Sequence, residues 1–517
     1  MTRTDSSGGK RISKKTVVKS AGVVAMARLG ALIEAVAQPA YVWMFGLATY
    51  GIYMALWAAV NIASNVADLA MTSAMQRAIP QATTEERAHS ALKTALILGM
   101  VPSIVIAIGV SLFASPVAAM FNAAPKDRDS LVLAVTVFAW ALPMWTFVEL
   151  ATSASRARKA FGPEVRLRIF WEQIVRLLMA AATWLAGWMT MGLIIAHLAS
   201  LAITALLGWR LLSRYYDVRL LIRAPFDREV LRDLLGTGFG ILPANIAARA
   251  FSDVPPLLLN MMLPGAAGAS AAGLFGIARK IASIPLIVRH SLHYVIQPLA
   301  AEQAMHDKQH INPIYGFASR LSMILLLPMS LLLALLAGPI LLLFPPEAAA
   351  AAPLIVVLTL ARGINSIAGP ANGILQMLQP RILPTTNAVL GIAVWALVTW
   401  LLWNGNGALA MAWGVACGVF VMEWLALVEL WHTDRIHPFA PPFAAGLGLM
   451  GGLTLLIWAA LGSHQPFPLW LDIVLPIVAA LVLVWLGLRF VLTARERQSL
   501  GRIGTRLGLH QPEQDVA

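Results

Sequence analysis

The chain has 517 residues, of which 59% are hydrophobic and only 12% charged, and its mean hydropathy is +0.74. These values exclude an ordinary soluble domain. A net charge of +13 would suit a nucleic-acid partner, but the basic residues lie in short stretches between apolar runs, so no such partner is expected. The single cysteine, Cys417, allows no intrachain disulfide.

Apolar runs long enough to cross a hydrocarbon core of about 30 Å recur along nearly the whole chain. They predict an all-α integral membrane protein with about 14 transmembrane helices. The spans are predicted near residues 17–41, 48–75, 92–113, 131–151, 171–188, 191–209, 236–262, 271–297, 317–342, 353–376, 384–403, 407–430, 442–462 and 469–492. Residues 1–19 are polar and basic and lead directly into the first span, so no cleavable signal is expected.

The basic residues also predict the topology. The N-terminal tail, the even-numbered connections and the C-terminal end carry most of the arginine and lysine, whereas the opposite connections hold only Lys126 and Arg128. By the positive-inside rule both termini are cytoplasmic, and the basic connections should attract membrane lipids. The predicted regions are a basic tail (1–16), an N-lobe (17–212), a cytoplasmic linker (213–235), a C-lobe (236–430), two appended spans (442–492) and a second tail (493–517).

Charged residues occur deep inside several spans. A charge at the bilayer centre costs at least roughly 2.5–3.5 kcal/mol, so such residues usually face a protein interior and serve a function. The basic residues at this depth are Arg28, Arg249, Arg279, Lys280, Arg289 and Arg362. The acidic residues are Glu34, Asp68, Asp253 and Glu423. The excess is basic, so we expect two six-helix lobes around a central cationic cavity that holds an anionic substrate during its passage across the membrane.

Arginine suits a pyrophosphate group because its planar guanidinium offers several donors in a fixed fork. Arg28, Arg279 and Arg289 have no acid at helical spacing on their own helix, so they are the first candidates for substrate binding. Arg249 and Arg362 are further candidates. An inter-helix salt bridge that locks one gate is the alternative role for these arginines, and Arg249 could also be neutralised by Asp253, four residues later.

Three acids are candidates for carrying a coupling proton or sodium ion, namely Asp68, Glu34 and Asp253. A carboxylate in a low-dielectric cavity can load and unload a proton, although structural pairing is an equal alternative. Pro255 and Pro256 remove two backbone donors from the seventh span and indicate a hinge.

Several other functions find little support. His306 and His310 stand four residues apart but lack a third ligand, so no metal site is expected. Neither a nucleotide-binding glycine loop nor a nucleophile elbow occurs, so we expect no cofactor. The outer connections are short, which disfavours an enzyme that polymerises or ligates glycans at the outer face. Six tryptophans near span ends are predicted to be interface anchors: Trp140, Trp145, Trp184, Trp188, Trp400 and Trp403.

The stretch LATYGIYMALWAAVNIASNVADLAMTSAMQRAIPQ, residues 47–81, resembles the second-helix region of polysaccharide exporters. The matching positions are Gly51, Tyr53, Asp68 and Arg77. Residues 231–302, with AGLFGIARKIASIP and IQPLAAE, resemble the seventh and eighth helices. Within them, Gly273 and Phe275 repeat Gly51 and Tyr53, as expected for a duplicated lobe. The chain is similar to the polysaccharide transporter (Wzx-type) branch of the multidrug/oligosaccharidyl-lipid/polysaccharide (MOP) exporter superfamily.

This resemblance implies a flippase of the bacterial inner membrane. It would move undecaprenyl-pyrophosphate-linked oligosaccharide from the cytoplasmic to the periplasmic leaflet by alternating access coupled to an ion gradient. Polysaccharide polymerase and export machinery would be possible partners. Arg28 is similar in placement to the first-helix arginine of lipid II flippases. A lipid II flippase, a multidrug antiporter, a membrane glycan polymerase or ligase, and a non-transporting scaffold stay open as alternatives.

Overall fold

The computed structural model describes residues 30–158, 160, 165–292, 311–378, 383–462, 468–500 and 502–509, and every regular element in these ranges is helical. The helices of the first half are α1 (Gly30–Phe45), α2 (Leu47–Ala67), α3 (Met71–Gln81), α4 (Glu85–Leu112), α5 (Ala114–Ala118), α6 (Pro125–Phe138), α7 (Ala141–Ala157), α8 (Glu172–Leu185), α9 (Met189–Tyr215) and α10 (Val218–Arg223). A π-helical segment, Val165–Trp171, leads into α8.

The second half begins with a 35-residue helix, α11 (Arg228–Met262). The helices that follow it are α12 (Gly265–Ala282), α13 (Ile284–Leu292), α14 (Asn312–Leu335), α15 (Ala337–Leu341), α16 (Ala352–Asn365), α17 (Ala371–Leu378), α18 (Leu383–Leu402), α19 (Gly407–Asp434), α20 (Pro441–Gly462), α21 (Leu469–Leu486), α22 (Ala494–Ser499) and α23 (Arg502–Arg506). A 3-10 turn, Pro346–Ala351, precedes α16, and a π-helical turn, Gly487–Val491, follows α21.

Within the described residues, ten helices are long and apolar enough to cross a membrane, and up to twelve if each of two bent pairs is one span. The first predicted span lies largely outside the described residues. The fifth corresponds to α8, which has only 14 residues. The prediction of an all-α, multi-pass membrane protein is confirmed, whereas the number fourteen and the two six-helix lobes stay predictions.

The second predicted span is interrupted by a sharp turn between α2 and α3. Leu69 and Ala70 have positive φ angles of 50° and 57° there, a conformation that is costly for residues with a side chain. The buried carboxylate of Asp68 stabilises it, because the Ala70 N–H donates to Oδ1 at 2.8 Å and the Thr72 hydroxyl donates to Oδ2 at 3.0 Å. A Cβ at Gly238 of α11 would lie 2.4 Å from the Leu69 carbonyl oxygen, so α11 packs directly on this turn.

The seventh and eighth predicted spans are both bent. Helix α11 bends by 51° between its segments Arg228–Ala247 and Arg249–Met262, and α12 meets α13 at 45°. Pro255 and Pro256 lie in the second segment of α11, about two helical turns beyond the bend. A hinge role for these two prolines therefore stays a prediction, and the observed change of direction lies before them.

The two halves of the chain meet closely where α2 packs against α11 and α12. A Cβ added to Gly51 would lie 1.7 Å from the carbonyl oxygen of Ala269, and one added to Gly273 would lie 2.8 Å from that of Leu47. The Cβ added to Gly273 would also lie 3.3 Å from the Cα atom of Gly51. The two glycines that the sequence pairs as equivalent positions therefore face each other, and backbone touches backbone near the predicted outer end of both helices.

Reciprocal hydrogen bonds between two asparagines join the halves at the same end. The backbone N–H of Asn122 donates to Oδ1 of Asn260 at 3.0 Å, and its side-chain amide donates to the Asn260 carbonyl at 2.9 Å. Asn260 returns a bond from Nδ2 to the Asn122 carbonyl at 2.8 Å, and the Gly265 N–H donates to Oδ1 of Asn122 at 3.0 Å. Together with the glycine contact, these bonds close the predicted outer end.

Gly51→Val should weaken the closed outer end, because a branched side chain cannot fit against the Ala269 backbone. We expect a loss of about 1–3 kcal/mol in the stability of the closed form. Labelling of a cysteine introduced at Leu47, in a Cys417→Ala background, should therefore become faster. Gly109→Val is the matched control, because nothing lies within 4 Å of a Cβ built there. Equal labelling rates in both variants would contradict the close contact.

Candidate functional site

The structure shows partners for most of the arginines that the sequence singles out. Arg28 lies outside the described residues, and so does the side chain of Glu34. Arg249, Arg279 and Arg289 each bond to a carboxylate on a different helix. The alternative of inter-helix salt bridges is therefore the arrangement that these three residues adopt.

Glu149 on α7 is shared by two arginines. Its Oε1 lies 3.2 Å from Nη2 of Arg249, at the bend of α11, and 3.5 Å from Nη2 of Arg168, on the π-helical segment. The Arg168 guanidinium also lies 4.4 Å from the ring centroid of Trp145, in cation–π range. The sequence left open a pairing of Arg249 with Asp253 on the same helix. In the structure Arg249 donates its hydrogen bond to Glu149 instead.

Asp253 is engaged by Arg279 instead. Nη1 of Arg279, on α12, donates to Oδ1 of Asp253 at 2.7 Å and to the backbone carbonyl of Ser252 at 2.6 Å. Both side chains are largely buried, so the bond ties α11 to α12 in a place where either charge alone would be costly.

A third pair lies in the second half of the chain. Nη2 of Arg289, on α13, donates to Oε1 of Glu423 on α19. Arg362 of α16 is close enough to both residues for its charge to interact with theirs. Among the described residues, no carboxylate lies within salt-bridge distance of Arg362, so two cations share one acid at this point. The second carboxylate oxygen of Glu423 is buried and has no hydrogen-bond partner there.

The polar side chains of the second predicted span, on α2 and α3, have two structural roles. Ser64 is hydrogen bonded to Thr146 at 3.1 Å, and the Gln76 amide donates to Ser153 at 2.9 Å, so part of this face packs on α7. Asp68 stabilises the turn between α2 and α3 and interacts electrostatically with Arg249. Its carboxylate therefore has a structural role in addition to the predicted role in coupling.

Sequence reasoning missed three contributors to this site. Glu149 lies inside a predicted span and Arg168 lies in a basic connection, and the sequence alone assigns neither residue a role. Trp145, predicted to be an interface anchor, is only 7% exposed and packs against Trp57 with ring centroids 5.2 Å apart. The spacing of charges along one helix cannot reveal them, because all their partners lie on other helices.

The arrangement is a set of arginine side chains held by acids of other helices. The Arg249 side chain is 39% exposed whereas that of Glu149 is 10% exposed, so the guanidinium covers the carboxylate and presents its remaining donors to open space. Two surface pockets, of about 390 and 310 Å³, lie elsewhere, and none of these arginines lines them. The central cationic cavity stays a prediction.

The profile of a polysaccharide biosynthesis protein family matches residues 46–345. The chain belongs to this family. The match includes both stretches that carry the resemblance to polysaccharide exporters, residues 47–81 and 231–302. A search of curated protein sequences finds no match.

Solved structures share the fold across most of the chain. The lipid II flippase MurJ, in an inward closed conformation, is similar with a TM-score of 0.70 over 90% of this chain and 97% of its own, at 11% identity. The MATE transporter VcmN of Vibrio cholerae has a TM-score of 0.61 over 82% and 98%, at 16% identity. An inward-facing MATE family transporter of the MOP superfamily scores 0.59 over 82% and 95%, at 15% identity. The fold that the resemblance to the MOP superfamily predicts is confirmed.

Asp68→Ala should destabilise the protein, because it leaves the Ala70 N–H without its acceptor inside the structure. The expected loss is about 1–3 kcal/mol. Asp68→Asn keeps an acceptor oxygen and should retain most of that stability while removing the charge. Thermal unfolding in detergent measures both. If the two variants unfold at the same temperature, the carboxylate does not stabilise the turn.

Proposed function

We propose that the protein is a flippase that moves undecaprenyl-pyrophosphate-linked oligosaccharide repeat units from the cytoplasmic to the periplasmic leaflet of the bacterial inner membrane. The units would serve polysaccharide export, and the protein would work by alternating access without covalent chemistry. The observation that carries this proposal is that membrane helices of a polysaccharide biosynthesis protein hold several arginines between them, paired with carboxylates of other helices. These arginines are Arg168, Arg249, Arg279 and Arg289, with Arg362 beside Arg289.

The planar guanidinium group of arginine suits a pyrophosphate. The pairing of these arginines with acids explains how the protein tolerates their charges when no substrate is bound. A substrate anion can replace a carboxylate as the partner of the same guanidinium group. Substrate binding therefore does not have to bury an additional unpaired cation. Arg28 would add a further donor from the first span.

The closed outer end supports access from the cytoplasmic side in this conformation. The glycine contact and the asparagine bonds lie at the end that the positive-inside rule assigns to the periplasm. Both termini, the 213–235 linker and the basic connections would then be cytoplasmic. Outward opening requires the two halves to separate at this end, with the bends of α11 and of α12–α13 as sites where the angle can change.

Coupling to an ion gradient belongs to the same proposal. Asp68, Asp253 and Glu34 are the acids that we propose to carry the proton or sodium ion. Asp68 and Asp253 each bond to groups on the elements that would move, so a change in their charge would alter those contacts.

The direct test is the fate of lipid-linked repeat units in a deletion strain. We expect intact undecaprenyl-linked oligosaccharide to accumulate on the cytoplasmic side while polymer is lost. Accumulation of the lipid-linked oligosaccharide on the periplasmic side would show that the missing step is polymerisation or ligation. That result would contradict flipping. Accumulation of lipid II instead would favour the second candidate, a lipid II flippase, which the shared fold with MurJ suggests.

Arg28→Ala and Arg362→Ala should each reduce polymer export about tenfold or more, as expected for the loss of one charge-assisted contact to a phosphate. Arg362 is the better test, because no described carboxylate is left unpaired by its removal. Lys126→Ala, an exposed residue of an outer connection, is the control and should export normally. Complementation of the deletion strain at matched protein levels gives the comparison, and normal export by both arginine variants would remove the argument for a cationic cavity.

A further inference from the structure

A pocket of about 310 Å³ lies at the surface of the first half of the chain, away from the ion pairs of the candidate site. One side of it is formed by Leu167 and Trp171 of the π-helical segment that leads into α8. The other side is formed by the last turns of α9, which contribute Arg210 and Arg214. The positive-inside rule assigns this end of α9 to the cytoplasm. The pocket therefore lies at the level of the lipid head groups of the inner leaflet.

The two arginines of this pocket have no acidic partner in the part of the chain that the structure describes. Other basic residues on the same side are engaged, since Arg158 pairs with Glu85 and Lys93 donates to backbone carbonyls. Arg210 and Arg214 are both exposed and lie four residues apart on one helix, so their side chains are neighbours. Like charges at this spacing repel each other, so an anion that contacts both guanidinium groups is favoured.

The surface of α9 next to the pocket is apolar. Ile203 is 39% exposed and Leu206 is 68% exposed, and both precede the arginines by one to two helical turns. Along the helix axis, Ile203 lies about 10 Å from Arg210 and Arg214 lies about 6 Å beyond it. The exposed side chains of α9 thus change from apolar to cationic over the distance that separates acyl chains from phosphate groups in a lipid leaflet.

The remaining side chains of the pocket suit the junction between head group and acyl chain. Leu167 and Leu211 are buried and Leu207 is half-buried, so the floor is apolar. Trp171 and Tyr215 are exposed at its sides, and such amphipathic rings are enriched at membrane interfaces. A volume of about 310 Å³ is at the low end for small-molecule sites and fits a head group with the first part of a chain.

We propose that this pocket binds an anionic phospholipid of the cytoplasmic leaflet, with Arg210 and Arg214 on its phosphate and its acyl chain along Leu207 and Leu206. A zwitterionic lipid is disfavoured, because its own cation would lie beside two arginines that lack an acid. The inference does not depend on what the protein transports.

The bound lipid would also support the candidate site from outside. Leu167 and Trp171 belong to the same short segment as Arg168, which contacts Glu149 and the Trp145 ring on its inner side. A lipid wedged between this segment and α9 holds the segment against the helices behind it. The composition of the inner leaflet would thus act on the position of one arginine of the site.

The test is a lipid titration of the delipidated, full-length protein, followed by native mass spectrometry. The probe is dioleoylphosphatidylglycerol, and dioleoylphosphatidylcholine has the same chains without the net charge. Wild-type protein should bind the first molecule of the anionic lipid more tightly. The double variant Arg210→Gln, Arg214→Gln should raise the Kd for that lipid about tenfold or more and leave the Kd for phosphatidylcholine unchanged.

The matched control is the double variant Arg219→Gln, Arg223→Gln. It removes two exposed arginines at the same four-residue spacing from α10, outside the pocket, and should leave both constants unchanged. An equal loss of affinity in the two double variants would overturn the site, because it would show attraction to the basic surface as a whole.

Two further measurements examine the acyl chain. Leu207→Trp fills the apolar part of the pocket without changing its charge and should also weaken binding of phosphatidylglycerol. This variant keeps the inference testable if the arginine variant does not fold. An excess of inorganic phosphate should not displace the lipid. Displacement by phosphate, with unchanged lipid affinity in Leu207→Trp, would overturn the proposal and indicate a site for a soluble anion.

Discussion

The constraint that shapes this protein is the cost of an uncompensated charge between membrane helices. Each described arginine of the site except Arg362 is paired with a carboxylate from another element, and Arg168 and Arg249 share Glu149. Because removing one partner of a buried pair leaves the other unpaired, these contacts fix how α7, α11, α12, α13 and α19 sit relative to one another. The same contacts keep the cations in place for an anion that can take over the role of the acid.

The interruptions of the helices follow from the same arrangement. The turn between α2 and α3 brings the Asp68 carboxylate towards Arg249. Gly238 lets α11 approach this turn without a clash, and the bend of α11 then turns Arg249 towards Glu149. Local backbone geometry and the placement of charge are therefore two aspects of one structure.

Long apolar runs predicted the all-α membrane architecture and most of the spans, because the hydrocarbon core imposes a length on each helix. The deep charges pointed to most residues of the site. The repeat of Gly51 at Gly273 indicated a duplicated lobe, but it did not reveal that the two glycines meet. The partners could not be predicted, because Arg249 could pair with Asp253 on its own helix or with an acid elsewhere, and only the packing decides between them. Arg168 was missed for a related reason, since an arginine-rich connection does not reveal which member folds back to Trp145.

The closed outer end joins two contacts of different physical character. Gly51 and Gly273 meet through backbone atoms, among buried apolar side chains from both halves of the chain. Asn122 and Asn260 meet through directional hydrogen bonds. Both contacts lie between the two halves, so outward opening has to break them in one movement. The glycines and the asparagines therefore act as a single gate, and a substitution at either place acts on the same conformational step.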